Sequence, residues 1–161
     1  MLKEKDLIQL NPLKDEIAMI EEEIAELEEE LEELNEKIIY VSPMHPLEEN
    51  SIMMPDAIHI GPAKTGVNKD QIINFIIKLE DERKELSNKI LSLKVEKLEK
   101  EAEINKTLKN IENIRDEKLR QIIKLKHLDG HTWEYIGQKV YLSRQGAYKK
   151  YKEWFTKVAK K

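Results

Sequence analysis

The sequence predicts an all-α protein, in which a long coiled-coil helical arm precedes a C-terminal domain of three short helices. Apolar residues recur at helical spacing along most of the chain. Charged residues make up 37% of it and aromatic residues 6%, proportions that suit long exposed helices better than a thick core. Basic residues concentrate near the end of a chain whose net charge is −4. We therefore assign residues 1–114 to the arm and residues 115–161 to the C-terminal domain.

The first helix of the arm is predicted over residues 11–40. Asn11 caps it in this prediction, and Pro12 takes its first position, where a missing N–H costs nothing. Apolar residues then follow in alternating steps of four and three, the heptad seam of a coiled coil. The seam consists of Leu13, Ile17, Ile20, Ile24, Leu27, Leu31, Leu34 and Ile38. Residues 11–40 also hold 12 acidic residues and 2 lysines, a net charge of −10.

This acidic charge argues against a parallel homodimer of the first helix. In such a dimer Glu16 would face Glu21 of the other copy, and like charges across a seam oppose pairing. We expect the helix to pack antiparallel on its own chain, or on a different protein. An antiparallel hairpin would set Leu27 near Arg83.

A second, longer helix is predicted over residues 68–114. Its seam keeps the same spacing but includes polar positions, and runs through Ile72, Ile76, Leu79, Arg83, Leu86, Ile90, Leu93, Lys97, Lys100, Ile104, Thr107, Ile111 and Ile114. At 1.5 Å per residue it reaches roughly 70 Å, against about 42 Å for the first helix. Its last third therefore needs another partner, and a homo-oligomer through this helix is one expectation.

The connection between the two helices, residues 41–67, contains four of the five prolines. We expect its Met and Ile side chains to cover part of the core. His45, Glu48, Glu49 and His59 could be written as a metal site, but a proline-rich loop offers them no fixed scaffold. No phosphate-binding glycine loop and no arrangement for nucleophilic catalysis appears. We expect no enzyme, no metal and no cofactor.

The C-terminal domain shows three helical patterns and two breaks. The first pattern carries apolar residues at Leu119, Ile122, Ile123, Leu125 and Leu128. Asp129-Gly130 breaks it. Thr132 then caps a helix that buries Trp133, Ile136 and Val140. Tyr141-Leu142 makes the second break, and Ser143 caps the last helix. Two helices joined by a three- or four-residue turn follow the plan of a helix-turn-helix, whose second helix enters the major groove of DNA.

Charge agrees with that plan. Residues 115–161 hold 13 Lys/Arg against 5 Asp/Glu, a net of +8 within an acidic chain. A basic domain of this kind is the electrostatic footprint of a phosphate-binding surface. The alternative is a small helical bundle with a solvated lysine face. Duplex DNA is therefore the first partner that we predict.

Other aromatic and imidazole side chains in this domain receive structural interpretations. We expect Trp133, Tyr151, Trp154 and Phe155 to be core residues, with Tyr148 the exposed aromatic. We expect His127 and His131, which flank the Asp129-Gly130 turn, to be solvated or phosphate-facing.

The segment DGHTWEYIGQKVYLSRQGAYKKYKEWF resembles region four of bacterial sigma factors, and more closely the sigma-like phage late-gene activators of the RinA and ArpU type. The shared features are an acidic-glycine turn, a Thr or Ser, an aromatic residue, an acid, Ile, a small residue and a Ser-capped basic helix. On this chain they are Asp129-Gly130, Thr132, Trp133, Glu134, Ile136, Gly137 and Ser143.

The resemblance implies DNA contact from the start of the last helix, and RNA polymerase as a second partner. The predicted DNA-binding residues are Thr132, Lys139, Ser143, Arg144, Gln145, Tyr148, Lys149 and Lys152. Two positions depart from the family. Gly146 stands where a charged residue is usual and weakens the helix by up to about 1 kcal/mol. Lys150 stands where an apolar residue is usual, which leaves the core to Ala147, Tyr151, Trp154 and Phe155.

These patterns predict a phage- or prophage-type transcriptional regulator that binds specific DNA. Two alternatives stay open: an assembly protein like the small subunit of a phage terminase, and a sigma-like module that docks on protein without reading DNA. No apolar run approaches the roughly 20 residues of a membrane span, and no signal-peptide stretch starts the chain. We therefore expect no membrane partner, and a location in the cytoplasm of a bacterial host.

Overall fold

A computed structural model describes residues 1–41 and 69–160, and this part of the chain is all-helical, as predicted. Its elements are α1 (Glu4–Ile8), α2 (Leu10–Val41), α3 (Lys69–Glu112), α4 (Glu117–His127), α5 (Trp133–Lys139) and α6 (Arg144–Ala159). The predicted connection after Val41, with its candidate ligands His45, Glu48, Glu49 and His59, lies outside the described residues. Among the residues that are described, none of the helices is both long and apolar enough to cross a membrane.

The two long helices that the sequence predicts are α2 and α3, and their predicted seams are their buried faces. Every seam position in both helices is buried or half-buried, including the polar Thr107. The start of α2 differs from the prediction. Leu13 N donates to Gln9 O at 3.0 Å, so the helix begins before Asn11, which is not its cap. Pro12 then lies within the first turn, where its missing N–H has no helical partner to lose.

The contacts divide the chain into two compact units. One unit joins Met1–Met19 to Glu96–Lys161, and the other is Ile20–Val95. The first holds 20 Lys/Arg and 14 Asp/Glu, a net charge of +6, and the second holds 8 and 18, a net of −10. We call them the basic unit and the acidic unit.

In the acidic unit, α2 and α3 pack antiparallel through their seams. One cluster joins Ile20, Ile24 and Leu27 to Ile90, and a second joins Leu34 and Ile38 to Leu79. Later residues of α2 therefore meet earlier residues of α3. Ion pairs flank this seam, from Lys89 to Glu23 at 3.1 Å and from Lys94 to Glu28 at 2.6 Å.

The register of this pairing differs from the one expected. Leu27 packs in the cluster of Ile90 and not beside Arg83. Arg83 instead forms an ion pair with Glu80 on its own helix. The observed register sets apolar side chains opposite each other and leaves the guanidinium at the edge, which avoids burying a charge.

Every helix that has residues in the basic unit contributes side chains to the core of that unit. Leu7 and Leu10 lie in one cluster with Ile111 from α3 and with Ile122, Ile123 and Ile136, and all six side chains are almost completely buried. Lys100 Nζ and Glu16 Oε2 form an ion pair at 2.6 Å between α3 and the start of α2. Leu2, Leu7 and Leu10 are thus part of the core around which α4, α5 and α6 pack.

Candidate nucleic-acid interface

The three C-terminal helices, α4, α5 and α6, each begin with a side-chain cap. Asp116 accepts a hydrogen bond from Leu119 N at 3.1 Å at the start of α4. Thr132 accepts from Tyr135 N at 3.4 Å, and Ser143 accepts from Gly146 N at 3.0 Å. Such caps satisfy N–H groups that have no helical acceptor. The predicted caps at Thr132 and Ser143 are confirmed.

The two predicted breaks are also present, and both use left-handed backbone. Gly130 follows α4 with φ of 69°, and Tyr141 follows α5 with φ of 57°. Between α5 and α6 the chain makes a close approach at Gly137, where a Cβ atom would lie 2.8 Å from Leu142 O. A small residue at this position therefore allows α5 to lie against the turn that leads into α6.

Helix α6 has an inner and an outer face. Ala147, Tyr151 and Phe155 point into the core and are buried. The exposed outer positions in its first half are Arg144, Gln145, Tyr148 and Lys149. No acidic residue lies in the first turn of α6. The partial positive charge of the unpaired N–H groups at this helix start therefore adds to the positive charge of the surrounding side chains.

The start of α6 borders a cleft of about 480 Å³. Trp133, Arg144, Gln145 and Tyr148 line it. The Trp133 and Tyr148 rings meet edge to face with their centroids 5.3 Å apart. Arg144 Nη1 lies 2.9 Å from Glu134 Oε1, and both side chains are largely exposed. The cleft thus combines an apolar wall with a cation and an amide, the groups that contact base edges in DNA grooves.

A second shallow surface continues along α6. Its lining side chains are Tyr148, Lys149, Lys152, Glu153, Thr156, Lys157 and Lys160. The structure therefore brings Arg144, Gln145 and Tyr148 together in the cleft, and Lys149 and Lys152 together on the second surface. Thr132 and Ser143 serve as caps, and Lys139 Nζ lies 5.4 Å from the centroid of the Tyr135 ring, outside both linings.

Lys152 has an acidic neighbour that the sequence did not indicate. Lys152 Nζ lies 2.8 Å from Glu4 Oε1, and the Tyr151 hydroxyl donates to the same oxygen at 3.1 Å. The hydrogen bond from Lys152 is the main reason that the pKa of Glu4 lies below its usual value. This contact neutralises one of the predicted phosphate-binding cations.

The same network corrects the expectation for His127. Its Nε2 lies 2.9 Å from the Tyr151 hydroxyl, and the two rings stack with centroids 5.7 Å apart. Because that hydroxyl donates to Glu4, we assign the ring proton to Nε2. Burial lowers the pKa of His127, with the nearby Lys126 charge as a further cause. His127 is half-buried and packs against α6 through Tyr151, so it is only partly solvated. The rings of His131 and Tyr135 are in contact, with centroids 4.1 Å apart and planes tilted by 34°.

Lys150, one of the two departures from the sigma-like pattern, pairs with the cap of α4. It forms an ion pair with Asp116, and this hydrogen bond is the largest cause of the lowered pKa of Asp116. The buried face of α6 rests instead on Ala147, Tyr151 and Phe155, with Trp154 partly buried beside them. Tyr151 and Phe155 are buried and Tyr148 is exposed, as predicted, whereas the predicted core residues Trp133 and Trp154 are only partly buried against that core.

The described residues contain no group of three or more His, Cys, Asp or Glu side chains arranged to hold a metal ion. In comparisons with known proteins, no family model, curated protein or solved structure matches this chain.

Proposed function

We propose that α5 and α6 form a helix-turn-helix that binds duplex DNA, and that the protein is a transcriptional regulator of the phage or prophage type. The observation that carries the proposal is the two-faced α6. One face anchors the helix in a rigid core, and the other presents a cation, an amide, an aromatic ring and a lysine directly after the Ser143 cap.

In this proposal the contacts divide into two classes. Arg144 and Gln145 reach base edges, for which a guanidinium bonded to guanine is the commonest specific contact. Lys149 and Lys157 bind phosphates and fix the orientation of the domain. Before DNA binds, the guanidinium of Arg144 is paired with the carboxylate of Glu134, and in this proposal it exchanges that partner for the DNA.

The test compares two alanine variants of the full chain. A preferred duplex is first selected from genomic fragments, and affinities for it and for a mixed-sequence duplex are then measured by fluorescence anisotropy. Arg144→Ala should cost about 1–3 kcal/mol on the preferred duplex and little on the mixed one. Lys157→Ala, the matched phosphate-contact variant, should weaken both equally. Equal losses for Arg144→Ala on both duplexes would remove its reading role.

Lys152, the other predicted phosphate contact on α6, is a poorer choice for this test. Its substitution would also break the contact with Glu4, so folding and binding would change together.

The acidic unit supplies the second part of the proposal, which is self-association or contact with RNA polymerase. Among its described residues, Ile73, Ile77 and Leu91 are exposed apolar side chains on α3. Ile73 and Ile77, four residues apart on one face of α3, also suit the alternative of a terminase-like assembly protein, which forms rings of many copies. Light scattering of the full chain separates the two, because a ring supports assembly and a monomer or dimer supports the regulator.

A further inference from the structure

Tyr141 is an outlier of the backbone. It follows α5 with φ of 57°, in the left-handed region where a side chain other than that of Gly, Asn or Asp is strained. Leu142 N donates to Gly137 O at 2.9 Å, and Tyr141 N donates to Gln138 O at 3.4 Å. This pair of hydrogen bonds defines a helix ending in which glycine is preferred at the left-handed position. The corresponding left-handed residue after α4 is a glycine, Gly130.

Packing of the Tyr141 side chain does not offset this strain. It is 89% exposed, the largest exposed fraction among the exposed large hydrophobic side chains of the described residues. Tyr148, by comparison, packs edge to face against the Trp133 ring and is 46% exposed. Within the described chain the Tyr141 ring joins no aromatic pair and no apolar cluster. Strain that packing does not offset is found where a residue serves a binding function.

We propose that the Tyr141 hydroxyl donates a hydrogen bond to a backbone phosphate of duplex DNA, beside the bases that Arg144 reaches. This inference rests on the proposed function and adds a residue to it. Tyr141 lies three residues before Arg144, so their Cα atoms are at most about 11 Å apart.

The surroundings of Tyr141 favour a phosphate over another ligand. In the sequence, Lys139 lies two residues before Tyr141 and Arg144 lies three residues after it. These two positive charges favour an anionic ligand. Because Tyr141 stands before the Ser143 cap and outside the first turn of α6, we assign its hydroxyl to the DNA backbone and not to base edges. Tyrosine hydroxyls are regular donors to phosphate oxygens in protein–DNA complexes.

Two variants of the full chain separate the hydroxyl from the backbone strain. Tyr141→Phe removes only the donor, so it should leave Tm unchanged and lower affinity for a fluorescein-labelled mixed-sequence duplex about fivefold. Tyr141→Gly also relieves the strain, so it should lower affinity at least as much while raising Tm by about 4 °C. Tyr40→Phe, an exposed tyrosine of the acidic unit, is the matched control and should bind as the unmodified chain does.

The outcomes distinguish failure of this phosphate contact from failure of the proposed DNA-binding function. If both Tyr141 variants bind as tightly as the unmodified chain while Lys157→Ala binds more weakly, the phosphate contact is wrong and the DNA-binding function stands. A fall in Tm for Tyr141→Gly would overturn the inference as well, because the tyrosine would then stabilise the fold. If the unmodified chain binds no duplex at low salt, both are wrong.

Discussion

The basic unit and the acidic unit bury their apolar side chains in different ways. In the basic unit helices surround a common core, and Ile122, Ile123 and Ile136 are completely buried. In the acidic unit two helices share one seam, and even its best covered described members, Leu79 and Ile90, keep some exposed surface. A core covered on all sides holds side chains in fixed positions, which a surface that reads DNA requires.

The largest expected effect tests this difference in burial. Ile136→Ala should lower the free energy of unfolding by about 3–4 kcal/mol, because it leaves a cavity in a core that cannot close around it. Leu31→Ala, at a half-buried seam position of the acidic unit, should cost about 1–2 kcal/mol. Urea unfolding of the full chain, followed by circular dichroism, measures both. Equal losses would mean that the two units are packed alike.

The close approach of α5 to the following turn gives the next effect. Gly137→Ala should cost about 2 kcal/mol, because the new Cβ would lie 2.8 Å from Leu142 O and 3.1 Å from Arg144 N, both backbone atoms. Gly130→Ala is the matched control. It meets open space and should cost about 1 kcal/mol, from its left-handed backbone alone. A Gly137→Ala variant that unfolds at the same urea concentration as the unmodified chain would contradict the packing of this turn.

The network of His127, Tyr151 and Glu4 predicts how stability depends on pH. Burial lowers the pKa of His127 in the folded state, so the unfolded chain binds a proton more readily. The basic unit should therefore keep its full stability above the ordinary imidazole pKa of 6.5 and lose some of it as pH falls below that value. Glu4 acts in a lower window: its lowered pKa adds stability above the ordinary value of 4.5, and this is lost as pH falls through the folded pKa.

His127→Gln should flatten the upper part of this pH profile, and Glu4→Gln the lower part. Thermal melts across the acid range measure both. A His127→Gln profile that still falls between neutral pH and the lower window would assign the effect to another group.

The smallest effect on stability is expected at the interface itself. Glu134→Gln removes the partner of Arg144, and exposed ion pairs contribute less than about 1 kcal/mol, so unfolding should barely change. If this surface binds DNA as proposed, affinity should rise, because the substitution frees Arg144 and removes a negative charge beside it. Weaker binding would show that Glu134 is needed to orient Arg144. Glu28→Gln, whose carboxylate lies 2.6 Å from Lys94 Nζ in the acidic unit, provides a matched control.

Local patterns account for the parts of this structure that the sequence predicted. Heptad spacing predicts which face of α2 and α3 is buried, since it depends only on helical geometry. Thr132, Ser143 and Gly130 predict helix ends because capping and left-handed backbone are properties of a few consecutive residues. The exposed outer face of α6 follows from the same periodicity once Ala147 and Tyr151 are placed inside.

Long-range contacts account for what the sequence did not predict. Leu7 and Leu10 enter a core that is formed mostly by residues more than 90 positions later in the chain. The pairing of Glu4 with Lys152 spans 148 positions, and no local spacing indicates it. The predicted register of α2 on α3 was wrong because heptad seams can pair at several offsets. Side-chain packing selects one of them.

These long-range contacts also determine which form of the protein should be tested. A fragment that begins at Asp116 would lack Leu7, Leu10 and Ile111, and with them part of its core. Binding experiments therefore require the full chain, and the loss of binding in a shorter fragment would not count against the interface.

Salt dependence of DNA binding by the full chain tests the central claim most directly. The basic unit carries a net charge of +6, and Lys149, Lys152, Lys157 and Lys160 line one surface along α6. If four phosphates are neutralised, log K should fall against log salt concentration with a slope of about −3.6. Fluorescence anisotropy with a mixed-sequence duplex, repeated over a range of salt concentrations, gives that slope. A slope near zero, or no binding at low salt, would contradict the assignment of this surface to DNA.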